Sequence, residues 1–441
     1  MSLSAADPTI ARDAWLDAPS TTRAVHLRAE DMDMFGADAD RDVRRSLRVG
    51  TVPLPELAPD EVLVAVMASS INYNTIWSAM FQPMPTFAFL RRLGRQGGYA
   101  TRHDLPHHVI GSDASGIVVR TGAGVRHWAP GDFVVVSPNC PDDQDPPTHA
   151  DSMMSPRQLV WGYETNFGGL AEHTVVRATQ LLPKPAHLTW EEAASITLCA
   201  GTAYRMLIGA HGARIKLGDI ALIWGATGGL GSIAVQLVKS SGGIPIGIVG
   251  SEEKAEAARR LGCDLVIGRS EIGMTSAGPG SLDEVQKVGK RLGGIIRREI
   301  GEDPHVVFDY VGRATFGVSV FVARRGGVVV TCGSSTGYEH TFDNRYLWMN
   351  LKNILGSHVA NLQEMSECIR LFGLGTLVPV LSEVHPLDDV GAAARTVQEN
   401  RHIGKVGVLC QAPSEGLGVT DWELRAKIGE QRLNPLRRIT S

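Results

Sequence analysis

The stretch Ile223-Trp-Gly-Ala-Thr-Gly-Gly-Leu-Gly-Ser232 dictates a strand, a tight turn and a helix in that order. The apolar run Ile220–Ile223 leads in and reads as a buried strand. Ile233–Lys239 leads out and reads as a helix. This is the phosphate-cradling opening of a dinucleotide fold. Glycines let the backbone turn sharply and approach a pyrophosphate. The helix N-terminus then offers N–H groups and the positive end of a dipole to that anion. Gly225, Gly228 and Gly231 hold the repeating positions, and Thr227, Gly229 and Leu230 complete the expected cofactor loop. Ala226 stands where the strict pattern has its first glycine.

The following strand bears on which dinucleotide is bound. Ile244-Pro-Ile-Gly-Ile-Val-Gly250 ends in Ser251-Glu-Glu-Lys254. An NAD site usually carries an acidic residue at this tip, bonded to the ribose 2′-OH. Here Gly250 and Ser251 occupy it, and Lys254 and Arg259 follow on the next expected helix. A small hydroxyl with cations behind it suits a 2′-phosphate, so NADPH is the expected cofactor. Glu252 and Glu253 are the opposing observation, and they also fit an acidic first helical turn.

A chain of 441 residues holds two or three domains. Its 43% apolar and 20% charged residues are those of a globular protein. A net charge of −4 gives no bias toward nucleic acid or anionic lipid. No apolar run is long enough to span a bilayer. Met1–Arg23 has no hydrophobic segment, so no signal peptide is expected, and the six scattered cysteines suggest reduced thiols in a cytoplasmic protein.

To about Lys184 the chain is β-rich, with strands at Glu61–Val66, Gly116–Val119 and Asp132–Val136. From Thr189 it alternates strand and helix, with strands near Ala221, Ile244, Leu265, Val306 and Gly327–Thr331. That alternation predicts a parallel sheet with crossover helices. Ser270–Gly280 reads as a mobile loop. A last strand, Lys405–Cys410, returns to the β-rich part.

A β-rich first domain, a dinucleotide domain and a returning strand resemble the medium-chain dehydrogenase/reductase superfamily. The resemblance implies an α/β fold: a GroES-like catalytic and substrate domain over 1–188 and 362–441, and a doubly wound Rossmann NADPH domain over 189–361. The zinc branch of that superfamily has Gly-His-Glu where this chain has Gly111-Ser112-Asp113, and the four-cysteine lobe is missing. No metal is therefore expected.

Five further blocks narrow the resemblance. They are Ile71-Asn-Tyr-Asn-Thr75, Trp161-Gly-Tyr-Glu-Thr-Asn-Phe-Gly168, Gly312-Arg-Ala-Thr-Phe-Gly317, Asp343-Asn-Arg-Tyr-Leu-Trp-Met349 and Gly356-Ser-His-Val-Ala-Asn361. Together they resemble the crotonyl-CoA carboxylase/reductase family, reductive carboxylases of 2-enoyl thioesters. The resemblance implies hydride addition from NADPH to the β-carbon of a 2-enoyl-CoA thioester, then attack of the enolate on carbon dioxide. It also implies a homo-oligomer, a tetramer or a dimer.

The family's carbon dioxide pocket uses an Asn, an aromatic–Glu pair and a His. Matched block by block, these fall on Asn74, Tyr163, Glu164 and His358. Asn74 and His358 would donate hydrogen bonds to oxygens that become a carboxylate. Glu164 would position a water or orient His358, and Tyr163 would form a wall. Many relatives have Phe at that last position, so the hydroxyl is a departure. Each residue also has a plain structural reading: Asn74 as a turn cap, Glu164 as a surface carboxylate, His358 as a satisfied structural histidine.

Coenzyme A carries phosphates, and Arg345 and Lys352 are the expected cations for them, or else a solvated basic face. Cys332 and Gly333, just past a strand end, would line the nicotinamide crevice. Val359 stands where relatives acting on crotonyl-CoA usually have Phe, which implies a deeper acyl pocket. Two other functions are also compatible with the sequence. One is a plain zinc-independent enoyl-CoA or quinone reductase that protonates the enolate. The other is a non-catalytic NADPH-binding structural protein.

Overall fold

The computed structural model describes residues 18–37 and 40–436. Most of Met1–Arg23, on which the signal-peptide reading rests, lies outside them. The chain forms two compact units. The first runs to Leu198 and resumes over Leu381–Glu430; the second is Cys199–Val380 with the segment from Gln431.

The first unit is built on the strand Glu61–Ile71, every residue of which is buried. Successive side chains of a strand point to opposite faces. Val62, Val64 and Val66 accordingly enter one core with Val118, Val134 and Trp161. Leu63, Ala65 and Met67 enter another with Ile117 and Trp190. Around it the sheet runs Leu181–Pro183, Phe133–Val136, Ala114–Thr121, Glu61–Ile71, Lys405–Leu409, Leu381–Pro386, and His173–Arg177 also pairs with the central strand. Arg48–Pro53, Thr21–Arg28 and His107–Val109 form a separate three-stranded sheet. The helices Tyr73–Met80 and Phe87–Gly94, absent from the sequence reading, follow the central strand.

The second unit holds a six-stranded parallel sheet. Its order is Leu265–Gly268, Ile244–Val249, Ile220–Trp224, Val306–Phe308, Val328–Thr331, Asn353–Gly356. The strand order reverses beside Ile220–Trp224, where sheets of this kind bind their ligands. The helix Leu282–Glu299 buries Val285, Val288, Leu292 and Ile296, one stripe of a 3.6-residue period.

The units divide the chain later than the resemblance implied, at both crossings. The helix Trp190–Ala194 packs with the first unit, because Trp190 and Ala194 complete the core around Leu63 and Ala65. The helix Leu362–Gly373 goes with the second: Met365 lies against Gly201, and Glu364 pairs with Arg205 at 2.7 Å. The expected loop Ser270–Gly280 carries two core side chains. Ile272 and Met274 are buried in the second unit's core and anchor the first half of the segment, while Thr275–Ala277 are exposed. Among the described residues no helix is long and apolar enough to cross a membrane.

Candidate active site

Gly225 takes φ +61°, a left-handed conformation that suits glycine, and begins the turn after Ile220–Trp224. Gly228 caps the helix Gly229–Ser240 from an extended conformation. A Cβ at Gly231 would lie 2.2 Å from the Gly225 carbonyl oxygen, so the first helical turn closes on the loop only without one. Thr227 is buried, whereas Gly228, Gly229 and Leu230 are partly open. Ala226 is accommodated because its neighbour on the next strand is Gly247, whose Cβ would come within 2.9 Å of the Ala226 methyl.

Tyr310, which the sequence reading missed, covers this loop. Its hydroxyl donates to the Gly225 carbonyl oxygen at 2.8 Å, and a Cβ at Gly228 would sit 2.6 Å from it. Burial pushes its pKa up, so it stays a neutral donor. The preceding Asp309 is fully buried. It accepts from the Val311 and Gly312 N–H groups, from Thr315 Oγ1 and, at 2.6 Å, from Ser319 Oγ. That network holds the chain that presents Tyr310. A glycine turn with a left-handed start, open N–H positions and small-residue contacts fits a dinucleotide pyrophosphate.

At the next strand end, Ser251 caps the helix Glu252–Leu261 by accepting from the Lys254 N–H at 3.3 Å. Lys254 has its pKa lowered, by desolvation first and then by Arg269. Arg269 is a second missed residue. Its guanidinium lies where a Cβ at Gly250 would come within 2.6 Å, and its backbone N–H donates to the Val249 carbonyl at 2.9 Å. The signal available was its position just after the adjacent parallel strand. Arg259 instead pairs with Glu252 and Glu256 at 3.0 and 3.4 Å. The cations at this strand end are therefore Lys254 and Arg269.

Cys332 and Gly333 follow the strand Val328–Thr331, and burial pushes the Cys332 thiol up to about 12. Arg345 is exposed and makes a forked pair with Asp343, with bonds of 2.7 to 3.2 Å. Lys352 does not share that setting. Its ammonium donates to the carbonyls of Val320 and Phe321 at 2.7 and 3.0 Å, at the end of the helix Phe316–Val322. Two of its three donors thus serve carbonyls at a helix end, a structural role beside the substrate role expected of it. Desolvation lowers its pKa to about 8.

His358 lies two residues beyond the edge strand Asn353–Gly356. The residue is exposed, yet neighbouring protein desolvates its imidazole. Desolvation first, and the charge of Arg205 next, hold its pKa below the ordinary histidine range. Arg205 is a third residue missed by sequence reasoning. It is ion-paired with Glu364, which also accepts from the Asn361 N–H at 3.0 Å. Val359 is buried and takes φ +44°, an uncommon conformation for a β-branched residue.

Asn74, Tyr163 and Glu164 lie in the first unit and His358 in the second. The Asn74 amide donates to Ser112 Oγ at 2.8 Å, and Ser112 donates to the Trp161 carbonyl at 2.7 Å. This chain of bonds ties Asn74 to the loop of Tyr163 and Glu164. The Glu164 carboxylate accepts from the Val160 N–H at 2.8 Å, and desolvation outweighs that bond to raise its pKa. Tyr163 packs its ring 5.9 Å from that of Phe89.

Asp113 is wholly buried. It accepts from Ser70, Asn72 and the Leu198 N–H at 2.7 to 2.8 Å and from the Lys405 ammonium at 3.0 Å. These residues do not fit a zinc ion: the carboxylate already has its cation, and Ser112 is a neutral hydroxyl. Among the described residues no group of three His, Cys, Asp or Glu could hold a metal.

Residues 58–186 match the model described as alcohol dehydrogenase GroES-like domain, and residues 229–373 match zinc-binding dehydrogenase. The chain is 49% identical to crotonyl-CoA reductase of Streptomyces collinus, over 96% of this chain and 95% of that one. It is 40% identical to crotonyl-CoA carboxylase/reductase of Cereibacter sphaeroides, over 85% and 86% of the two chains. The solved 2-octenoyl-CoA carboxylase reductase CinF, from a Streptomyces species, superposes with a TM-score of 0.94 and 62% identity. That match covers 96% of this chain and 95% of the other, and CinF was solved with NADP and 2-octenoyl-CoA.

Proposed function

The chain belongs to the crotonyl-CoA carboxylase/reductase family, and from that premise we propose that it converts a 2-enoyl-CoA to a 2-alkylmalonyl-CoA with NADPH and carbon dioxide. The similarity to the 2-octenoyl-CoA enzyme is the observation that extends the reading to acyl chains longer than crotonyl.

When bound, NADPH supplies the hydride for the β-carbon. The glycine loop Gly225–Gly231 and its helix N-terminus would hold the pyrophosphate, and Lys254 with Arg269 would hold the 2′-phosphate. The α-carbon of the substrate then carries enolate character. A plain reductase would protonate it, whereas a carboxylase must present carbon dioxide to it. Carbon dioxide is uncharged, so donors aimed at its oxygens gain strength as they become carboxylate.

The Asn74 amide and the His358 ring, its pKa lowered by desolvation, would be such donors. Glu164, desolvated and held by Val160, suits the task of orienting a water or the imidazole. Tyr163 and Val359 would supply walls, and Arg345 a cation for coenzyme A phosphate. The mixed composition and dispersed thiols support a cytoplasmic location. Exposed Trp348, Met349 and Leu351, just before the edge strand Asn353–Gly356, support a homo-oligomer.

The test is mass analysis of products from crotonyl-, hexenoyl- and octenoyl-CoA with NADPH, with and without bicarbonate. A product 44 mass units heavier than the saturated thioester, formed only with bicarbonate, is expected from the carbon dioxide added (about one CO2 per turnover). Saturated thioester alone would favour the plain reductase, and no turnover the binding protein.

A further inference from the structure

The segment Gly111-Ser112-Asp113 drew notice in the sequence for the metal ligands it lacks. In the folded chain Ser112 is wholly buried between two partners. Its Oγ donates to the Trp161 carbonyl at 2.7 Å and accepts from Asn74 Nδ2 at 2.8 Å. A serine hydroxyl has one proton, and a carbonyl only accepts. With that proton on Trp161, the amide group facing Oγ must be a donor. Turning the Asn74 amide over would set Oδ1 against an oxygen with no proton to share. A torsion that is otherwise broad and two-fold is thereby held in one state.

The surroundings make this lock stiff. Asp113, the next residue, accepts from Asn72 Nδ2 at 2.7 Å and from the Lys405 ammonium at 3.0 Å. The same ammonium donates to the Ile71 carbonyl at 3.0 Å. The segment carrying Ser112 and the segment carrying Asn74 are thus cross-linked beside the amide. On the far edge of that amide, Oδ1 is buried and has no hydrogen-bond partner among the described residues. A buried acceptor left without a partner calls for one that the protein itself does not supply, such as a water or a bound ligand.

We propose that Ser112 is a positioning residue for carbon dioxide capture. It locks the Asn74 amide in one orientation and ties it to the Trp161 loop that carries Tyr163 and Glu164. The proposal rests on the role given to Asn74 above. It also gives a use to the place where zinc-dependent relatives of this fold carry ligands: the segment orients a neutral donor instead of a metal.

Ser112→Ala removes the hydroxyl with little change in volume. At fixed dissolved carbon dioxide the ratio of carboxylated to reduced product should fall about tenfold, the worth of one neutral hydrogen bond. The KM for carbon dioxide should rise more than the KM for the thioester. Asn74→Ala should act in the same direction, and Ser112→Ala should add nothing on that background. Additive effects, or a parallel fall of both products with a lowered Tm, would overturn the proposal in favour of a purely structural serine.

A second measurement needs no turnover. In enzyme labelled with 15N-asparagine and loaded with NADPH, the Asn74 side-chain amide pair is identified by its absence in Asn74→Ala. Its hydrogen-bonded proton should shift upfield in Ser112→Ala. An unmoved pair would overturn the lock whatever the products are. Wild-type enzyme yielding only saturated thioester would count against the carboxylase reading instead, and the amide spectrum would still decide the role of Ser112.

Discussion

The Tyr310 hydroxyl lies 2.8 Å from the carbonyl oxygen of Gly225 and closes the cofactor loop from above. A methyl at Gly228 would meet that hydroxyl at 2.6 Å but the ring carbon behind it at 3.7 Å. Gly228→Ala should therefore raise the Kd for NADPH about tenfold or more, by displacing Tyr310 from the loop. Tyr310→Phe in the same chain should recover most of that loss, since the clashing atom is gone. Fluorescence titration of NADPH into both variants checks it. A double variant as weak as Gly228→Ala would mean that the glycine is needed for phosphate approach itself.

Cofactor choice should rest on Lys254 and Arg269 rather than Arg259. Arg269→Ala should lower kcat/KM for NADPH about tenfold to a hundredfold, the scale of a charge-assisted phosphate bond, and leave NADH nearly untouched. Arg259→Ala, which loses only an exposed pair with Glu252 and Glu256, should change neither. Steady-state rates with the two cofactors, at low and high salt, decide this. Equal loss with both cofactors would mean that Arg269 supports the strand end and not the 2′-phosphate.

The fraction of turnovers that carboxylate should be flat with pH above the ordinary histidine range. His358 has its pKa lowered by desolvation and by Arg205, so its neutral form persists to lower pH than that of a free histidine. At constant dissolved carbon dioxide, the product ratio should hold from about pH 6.5 to 8 and change only on further acidification. His358→Ala should shift products toward the saturated thioester at every pH. An inflection near neutrality in the wild type, lost in His358→Ala, would show that the imidazole titrates there.

Acyl-chain preference should follow Val359. Its side chain is buried and its backbone takes φ +44°. Each methylene of substrate removed from water is worth about 0.8 kcal/mol. Val359→Phe should thus shift the kcat/KM optimum from hexenoyl- or octenoyl-CoA toward crotonyl-CoA. A wild-type optimum at crotonyl-CoA that the substitution does not move would remove Val359 from the pocket.

Lys352→Met should lower the Tm and spare the KM for the thioester. The ammonium satisfies the Val320 and Phe321 carbonyls at a helix end, and their loss should destabilise the fold by about 1–2 kcal/mol. A thermal melt beside a KM measurement separates this from the substrate role that its place in the chain suggested. A raised KM with an unchanged Tm would support that role.

The parallel sheet and its glycine turn were legible in the sequence because they are written locally. Apolar runs such as Ile220–Trp224 and Val328–Thr331 recur between helical spacings, and the positive φ of Gly225 leaves a direct mark in residue type. The family blocks pointed to Asn74, Tyr163, Glu164 and His358 as candidates, since each sits beside other matched residues. The tertiary structure alone decided what those residues touch. Tyr310 reaches a turn 85 positions earlier, and Lys405 meets Asp113 across 292 positions. Lys352 turns inward to a helix end, and Ser112 bridges Asn74 to Trp161. Such pairings follow from sheet register and helix docking, which set the distance between residues far apart in the chain. Local periodicity records which face a side chain takes, but not the group it will find there.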